Sequence, residues 1–172
     1  MTRPISIGIV MLIFLLASNI AGAAPRIAIL EFELNDITSL PNTPKERIRT
    51  ASFRPLLEQA LLQLGDYEII SISHTEQATA NSSFGYLFRF DDLAADLSKR
   101  HGADWVIVSQ HSKPSFLFSY LMAHLIRVKD RTLAADYAIE LKGNHEKVSL
   151  HGTKALANKI HDFIDKQKTE SP

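Results

Sequence analysis

No cysteine occurs in the 172 residues. That absence excludes disulfides, thiolate metal sites, cysteine nucleophiles and a lipid-modified amino-terminal cysteine together. A charge excess is missing too: 19 Lys and Arg balance 19 Asp and Glu, so the overall charge predicts neither a nucleic acid partner nor an anionic membrane surface. Glycine is sparse, and no Gly-rich phosphate loop, Gly-x-Ser-x-Gly elbow or His-Glu-x-x-His pair is present. What remains is 45% hydrophobic and 22% charged, enough apolar surface to offset the ordering entropy of one domain and too much for a disordered chain.

The one long apolar run lies at the start. Arg3 supplies a positive segment, Ile5 to Leu16 an apolar one, and Ala21-Gly22-Ala23 a small-x-small cleavage site. Residues 1–23 therefore read as a signal peptide, leaving a mature chain that begins at Ala24-Pro25. The run is shorter than the ~20 residues of a spanning helix. This predicts a bacterial periplasmic protein with no stable membrane anchor after cleavage, the alternatives being a secreted form or one held by an uncleaved leader.

Residues 24–166 read as one α+β domain, with 167–172 a frayed tail. Arg26 to Leu34 reads as a strand, apolar on both faces at its start and acidic (Glu31, Glu33, Asp36) toward its end. Thr43, Pro44 and Glu46 form a helix start with a capping box. The helix carries Leu57, Ala60, Leu61 and Leu64 as an apolar stripe, stops at Gly65, and is expected to kink or restart at Pro55 with Ser52 as a fresh cap. Tyr67 to Ile72 is a short strand parallel to the first across this helix. His74 to Gly85 is polar and loop-like; Phe84, Tyr86, Phe88 and Phe90 follow at alternate positions, to pin that loop or form an aromatic rim. Asp91 or Asp92 caps a helix ending at His101-Gly102.

The chain is organised around the stretch from Asp104 to Lys142. Trp105 to Val108, Phe116 to Val128 and Thr132 to Leu141 alternate as three strands, joined by turns at Ser112–Ser115 and Lys129–Arg131. A first turn near Pro114 would set Trp105 opposite His124, and the next hairpin His124 opposite Tyr137. Phe118, Tyr120, Met122, His124, Ile126 and Ile139 then form the expected core face, with Ser119, Arg127, Asp136, Glu140 and Lys142 on a solvated one. Gly143-Asn144 opens a last helix with Val148, Ala155, Leu156, Ile160, Phe163 and Ile164 on one side. Gly152 marks a break in it or a close approach of another element. The whole is a single mixed sheet of about five strands, β-α-β-α-β-β-β-α, with helices mainly on one face.

Three phrases carry a resemblance: AILEFEL at 28–34, Leu64-Gly65-Asp66-Tyr67-Glu68-Ile69, and His101-Gly102-Ala103-Asp104-Trp105-Val106-Ile107-Val108. In their order they resemble the amino-terminal domain of TolB and the related periplasmic fold of the curli-secretion lipoprotein CsgG. The mature chain also resembles an uncharacterised family of small exported bacterial proteins with a meander ending in Gly-Asn. The resemblance implies a fold and a periplasmic setting and carries no catalytic residue. One departure concerns the second turn of the meander, Lys129-Asp130-Arg131-Thr132, which lacks the usual glycine.

The leading function is a non-enzymatic periplasmic binding or assembly-accessory module whose partner is another protein or an envelope component, with strand addition along 132–141 as one route. The alternative is a small-ligand or metal-binding protein; a hydrolase using the Glu31–Asp36 cluster ranks behind both. Candidate ligand or partner contacts are Trp105, His124, Tyr137, Tyr86, Phe88, Asp136 and Glu140. No catalytic residue or cofactor is expected, since no motif supplies one, and no metal site, since none of the seven histidines makes an i,i+4 pair with another on a helix.

Overall fold

A computed structural model describes residues 23–143 and 146–170. Residues 1–22 of the expected 1–23 leader, Asn144 of the Gly-Asn junction and the last two residues lie outside the described residues. The described chain is α+β, one open mixed sheet with five helices. Its strands are β1 (Arg26–Ile29), β2 (Glu33–Asp36), β3 (Glu68–Ile70), β4 (Trp105–Lys113), β5 (Phe118–Arg127) and β6 (Thr132–Lys142). The order across the sheet is β3-β1-β4-β5-β6, with β2 also paired to β4. Pairings among β3, β1, β2 and β4 are parallel, and β4-β5-β6 is the antiparallel meander.

The expected first strand is divided. β1 and β2 both pair with β4, but the register slips by one residue between them. At the slip Glu31 leaves the ladder: its N–H donates to Gln77 Oε1 (2.7 Å), and its carbonyl accepts from Gln77 Nε2 (3.0 Å). A side-chain amide thus satisfies the backbone groups that a bulge would orphan.

Helix α1 (Pro44–Leu64) starts at the expected Thr43, whose Oγ1 accepts from the Glu46 N–H, but the capping box stays half made because the Glu46 carboxylate turns to Lys113. It passes Pro55 without restarting, and Ser52 Oγ donates back to the Arg49 carbonyl instead of capping. Phe53, Leu57 and Leu61 are fully buried, whereas Leu64 is partly exposed and off the stripe. The segment expected as a loop holds α2 (His74–Ala80), closed by a capping box of Ser73 and Glu76. A single turn, α3 (Tyr86–Arg89), and α4 (Asp91–Lys99) follow. Leu87, not the flanking aromatics, is the side chain that pins α3 to the core. Neither Asp91 nor Asp92 caps α4; Phe90 holds that position without a side-chain bond.

Helix α5 (Glu146–Glu170) runs unbroken through Gly152. A Cβ at Gly152 would collide with the Leu141 side chain, so this glycine marks the close approach of α5 to β6. The helix continues through Gln167, which accepts from Arg127 (2.7 Å), into the expected tail.

Two cores lie on opposite faces of the sheet. Helices α1 and α5 pack on Ile27, Ile29, Trp105, Ile107, Leu121, Ala123 and Leu125. On the other face α3 and α4 cover Ala28, Leu30, Val106, Val108 and Ile126. The meander register differs from expectation: Trp105 opposes Arg127, and His124 lies between Val108 and Asp136. The larger core face of β5 is therefore Ser119, Leu121, Ala123 and Leu125. Phe118, Tyr120 and Met122 face the other way, where no helix among the described residues covers them fully. The second turn closes without glycine because Arg131 takes the left-handed conformation (φ 61°), while Asp130 accepts from Thr132 and Arg127.

Candidate functional site

Along β4 the α1-facing side chains change from apolar to polar: Trp105 and Ile107, then Ser109, His111 and Lys113. The first turns of α1 answer with Glu46, Arg49, Thr50 and Phe53 at helical spacing on the inward stripe. Where these ends meet, Lys113 Nζ lies 3.2 Å from Glu46 Oε1 and 3.9 Å from Asp36 Oδ2. Arg49 lies 3.7 Å from Glu46, donates to Ser149 Oγ (2.9 Å) and reaches the Gly143 carbonyl (3.2 Å). All four charged side chains are buried, two of each sign. Burial works against the Asp36 charge, but hydrogen bonds from Thr38 and Asn42 outweigh it and hold its pKa below the usual value.

His111 is fully buried within this cluster, edge-on to the Phe53 ring (5.0 Å between centroids). The Thr50 hydroxyl spends its one proton on the Glu46 carbonyl (2.8 Å) and so accepts from His111 Nδ1 (2.8 Å). That assigns the Nδ1–H tautomer and leaves Nε2 to accept from Ser119 Oγ (3.0 Å). Burial pushes the imidazole pKa down to about 3, with Arg49 and Lys113 adding to the effect. Both ring nitrogens are engaged and no solvent reaches them, so the cluster orders one end of the fold and offers no proton to a substrate.

The expected contact residues divide between the two faces. His124 Nδ1 lies 3.0 Å from Asp91 Oδ1, and the Phe88 ring stacks on the imidazole at 3.9 Å. Asp136 is the β6 neighbour of His124, and Glu140 is that of Tyr120, with its carboxylate 3.7 Å from Lys142. Tyr86 packs on Phe90 (4.8 Å) and lines a groove of about 690 Å³ with Leu93, Leu97 and Arg100. Trp105 and Tyr137 lie on the α5 side: Trp105 meets Phe163 edge-on beneath Arg127, and the Tyr137 hydroxyl donates to the Lys159 carbonyl. Burial raises the Tyr137 pKa, with Asp162 and Asp136 adding.

The acidic residues of the first strand share no site. Glu31 pairs with Arg54 (2.8 Å), Glu33 accepts from Asn81 and the Gly85 N–H, and Asp36 belongs to the buried cluster. Among the described residues no three His, Asp or Glu side chains are placed to hold a metal ion, and no helix is long and apolar enough to cross a membrane.

Sequence reading missed the His111 cluster, although alternation from Trp105 places His111 in the same phase as buried Ile107. It does place β6 at the sheet edge, where the strand lies. Gly143 N–H donates to the Leu117 carbonyl (2.8 Å), which fixes the phase of the β5–β6 ladder. Leu141, Ile139 and Tyr137 turn their backbone groups toward β5; those of Glu140, Ala138 and Asp136 point away from the sheet.

The fold has relatives among solved structures. The hypothetical protein CT253 from Chlamydia trachomatis matches with a TM-score of 0.56 at 8% identity, over 83% of this chain and 98% of that one. The PelC dodecamer from Paraburkholderia phytofirmans matches at 0.51 and 11% identity, over 81% and 87%. TolB from Acinetobacter baumannii aligns at 0.49 and 15% identity, over 88% of this chain and 30% of its own. A search of curated proteins returns no match. A family model covers residues 25–160, nearly all of the described domain, and the chain belongs to that family, DUF3280, described as a protein of unknown function (DUF2380).

Proposed function

We propose that the protein is a non-enzymatic binding or assembly-accessory module of the bacterial periplasm, and that it engages a protein partner or a second copy along the free edge of β6. The observation that carries this reading is the outward row of backbone groups on Asp136, Ala138 and Glu140. An unpaired edge recruits another strand unless proline, inward charge or a bulge blocks it. Here proline is absent, Asp136, Glu140 and Lys142 share one face, and the bulge at Ala134 disturbs only the beginning of the strand. PelC, whose fold is similar, is a dodecamer, which supports self-assembly as one form of the reading. The periplasmic address rests on the leader pattern; the exported form should begin at Ala24, which amino-terminal sequencing reads directly.

A second reading, small-ligand binding, draws on the stacked Phe88–His124 pair beside Asp91. The test separates the two. Ala138→Pro removes one outward donor and leaves the β5 ladder intact. The folded variant should lose partner capture from periplasm, or self-association by light scattering, whereas His124→Ala should not. Unchanged capture and oligomeric state in a folded Ala138→Pro protein refute strand addition.

A further inference from the structure

We propose that the end of the molecule formed by the 37–42 loop and the 114–118 turn docks reversibly on an anionic lipid surface. Ile37 is 72% exposed, Leu40 65%, Phe116 55% and Leu117 77%, on two turns joined by the Ile37 N–H bond to the Lys113 carbonyl (3.2 Å). The second turn is preformed: Ser115 Oγ accepts from the N–H groups of both Leu117 and Phe118. Large apolar side chains are thus held out to solvent by a rigid backbone, and exposed apolar clusters of this kind mark interaction sites.

Charge decides the kind of surface. Although the chain is neutral overall, Lys45, Arg47, Lys142 and Lys147 are exposed around these turns. The carboxylates at the same end are Glu140 and Glu146, which are exposed, and Asp36 and Glu46, which are buried beside Lys113. The amino termini of the two long helices, α1 and α5, also open at this end and add partial positive charge. Lys142 faces Glu140 at 3.7 Å, and the four exposed cations stand against two exposed carboxylates; protruding apolar tips beside that cationic excess suit insertion into the headgroup boundary, ~5–10 Å deep, better than the flat contact of a protein interface. This surface is separate from the β6 edge, so either proposal can fail alone.

The absence of cysteine makes the test direct. In the full chain, Leu117→Cys carries the only thiol and takes an environment-sensitive nitrobenzoxadiazole label; Lys129→Cys, in the turn at the opposite end of the meander, is the control. Vesicles containing phosphatidylglycerol should shift the emission of the label at 117 to the blue, phosphatidylcholine alone much less, and the label at 129 should not respond. Replacing Ile37 or Leu40 by Ser should weaken the titration about tenfold each. Pro25 lies beside Trp105, Arg127 and Lys129, at the end away from the tip. Vesicle binding through the residues ahead of Pro25 would leave residue 117 in water and shift the label at 129 instead, and that result overturns the proposal. So does a blue shift at 117 that grows with protein concentration without vesicles, which would mean that the tip meets another copy.

Discussion

Acid should destabilise this protein through His111 well before its carboxylates titrate. The unfolded imidazole has a pKa near 6.5, while burial holds the folded one down to about 3. Between those values the unfolded chain binds a proton that the folded chain does not, so stability is fully present above about pH 6.5 and falls as the pH drops. The slope is about 1.4 kcal/mol per pH unit, giving a loss of roughly 2–3 kcal/mol by pH 4.5 and on the order of 4–5 by pH 3. Against a total of ~5–15 kcal/mol for a domain, that is a large share. The perturbation is a pH series combined with His111→Gln, which removes the titrating ring. The variant should be less stable at pH 7 by roughly 2 kcal/mol, for a lost hydrogen bond and imperfect filling. Its stability should nevertheless depend much less on pH between 6.5 and 4.5. Urea unfolding at each pH, followed by circular dichroism, measures both curves. Asp36, Glu76, Asp104 and Asp130 have lowered pKa values, so their stabilisation is lost as the pH falls through the usual carboxylate range and below it; the comparison of parent and variant is therefore read between pH 6.5 and 4.5, above most of that loss. Parallel slopes for parent and variant, or a flat parent curve, would refute the assignment of His111 as a buried neutral imidazole.

Gly152→Ala should lower the urea midpoint: the gain in helix propensity, about 1 kcal/mol, is outweighed by the collision with Leu141, which is itself buried and cannot turn aside. A raised melting temperature would show that α5 can back away from β6. Leu61→Ala and Leu156→Ala remove fully buried side chains from the α1 and α5 faces and should each cost roughly 2–5 kcal/mol; midpoints unchanged within error would mean those faces are not packed on the sheet.

Local signals determined much of the architecture. The meander was legible because its strands are long and alternating and its turns hold Ser, Pro, Lys and Asp in short clusters. Helices α1 and α5 were legible from their apolar period, and the start of α1 from Thr43 and Pro44. Helix α2 carried its own local signal, Ser73 with Glu76 three residues on, but HTEQATA has almost no apolar period to support it. What the chain could not state locally was pairing. The slip at Glu31 exists because Gln77, 46 residues away, supplies the missing hydrogen bonds. The phase of the meander decides which face of β5 lies under α1 and α5, and the turn sequences alone left it open by enough residues to misplace Trp105, His124 and Tyr137. The buried cluster is wholly tertiary. Asp36, Glu46, Arg49, His111, Lys113 and Ser149 are ordinary polar residues in sequence. Each becomes costly to leave unpaired only once two helices close over the end of β4 and exclude water, and that burial brings them into contact with one another.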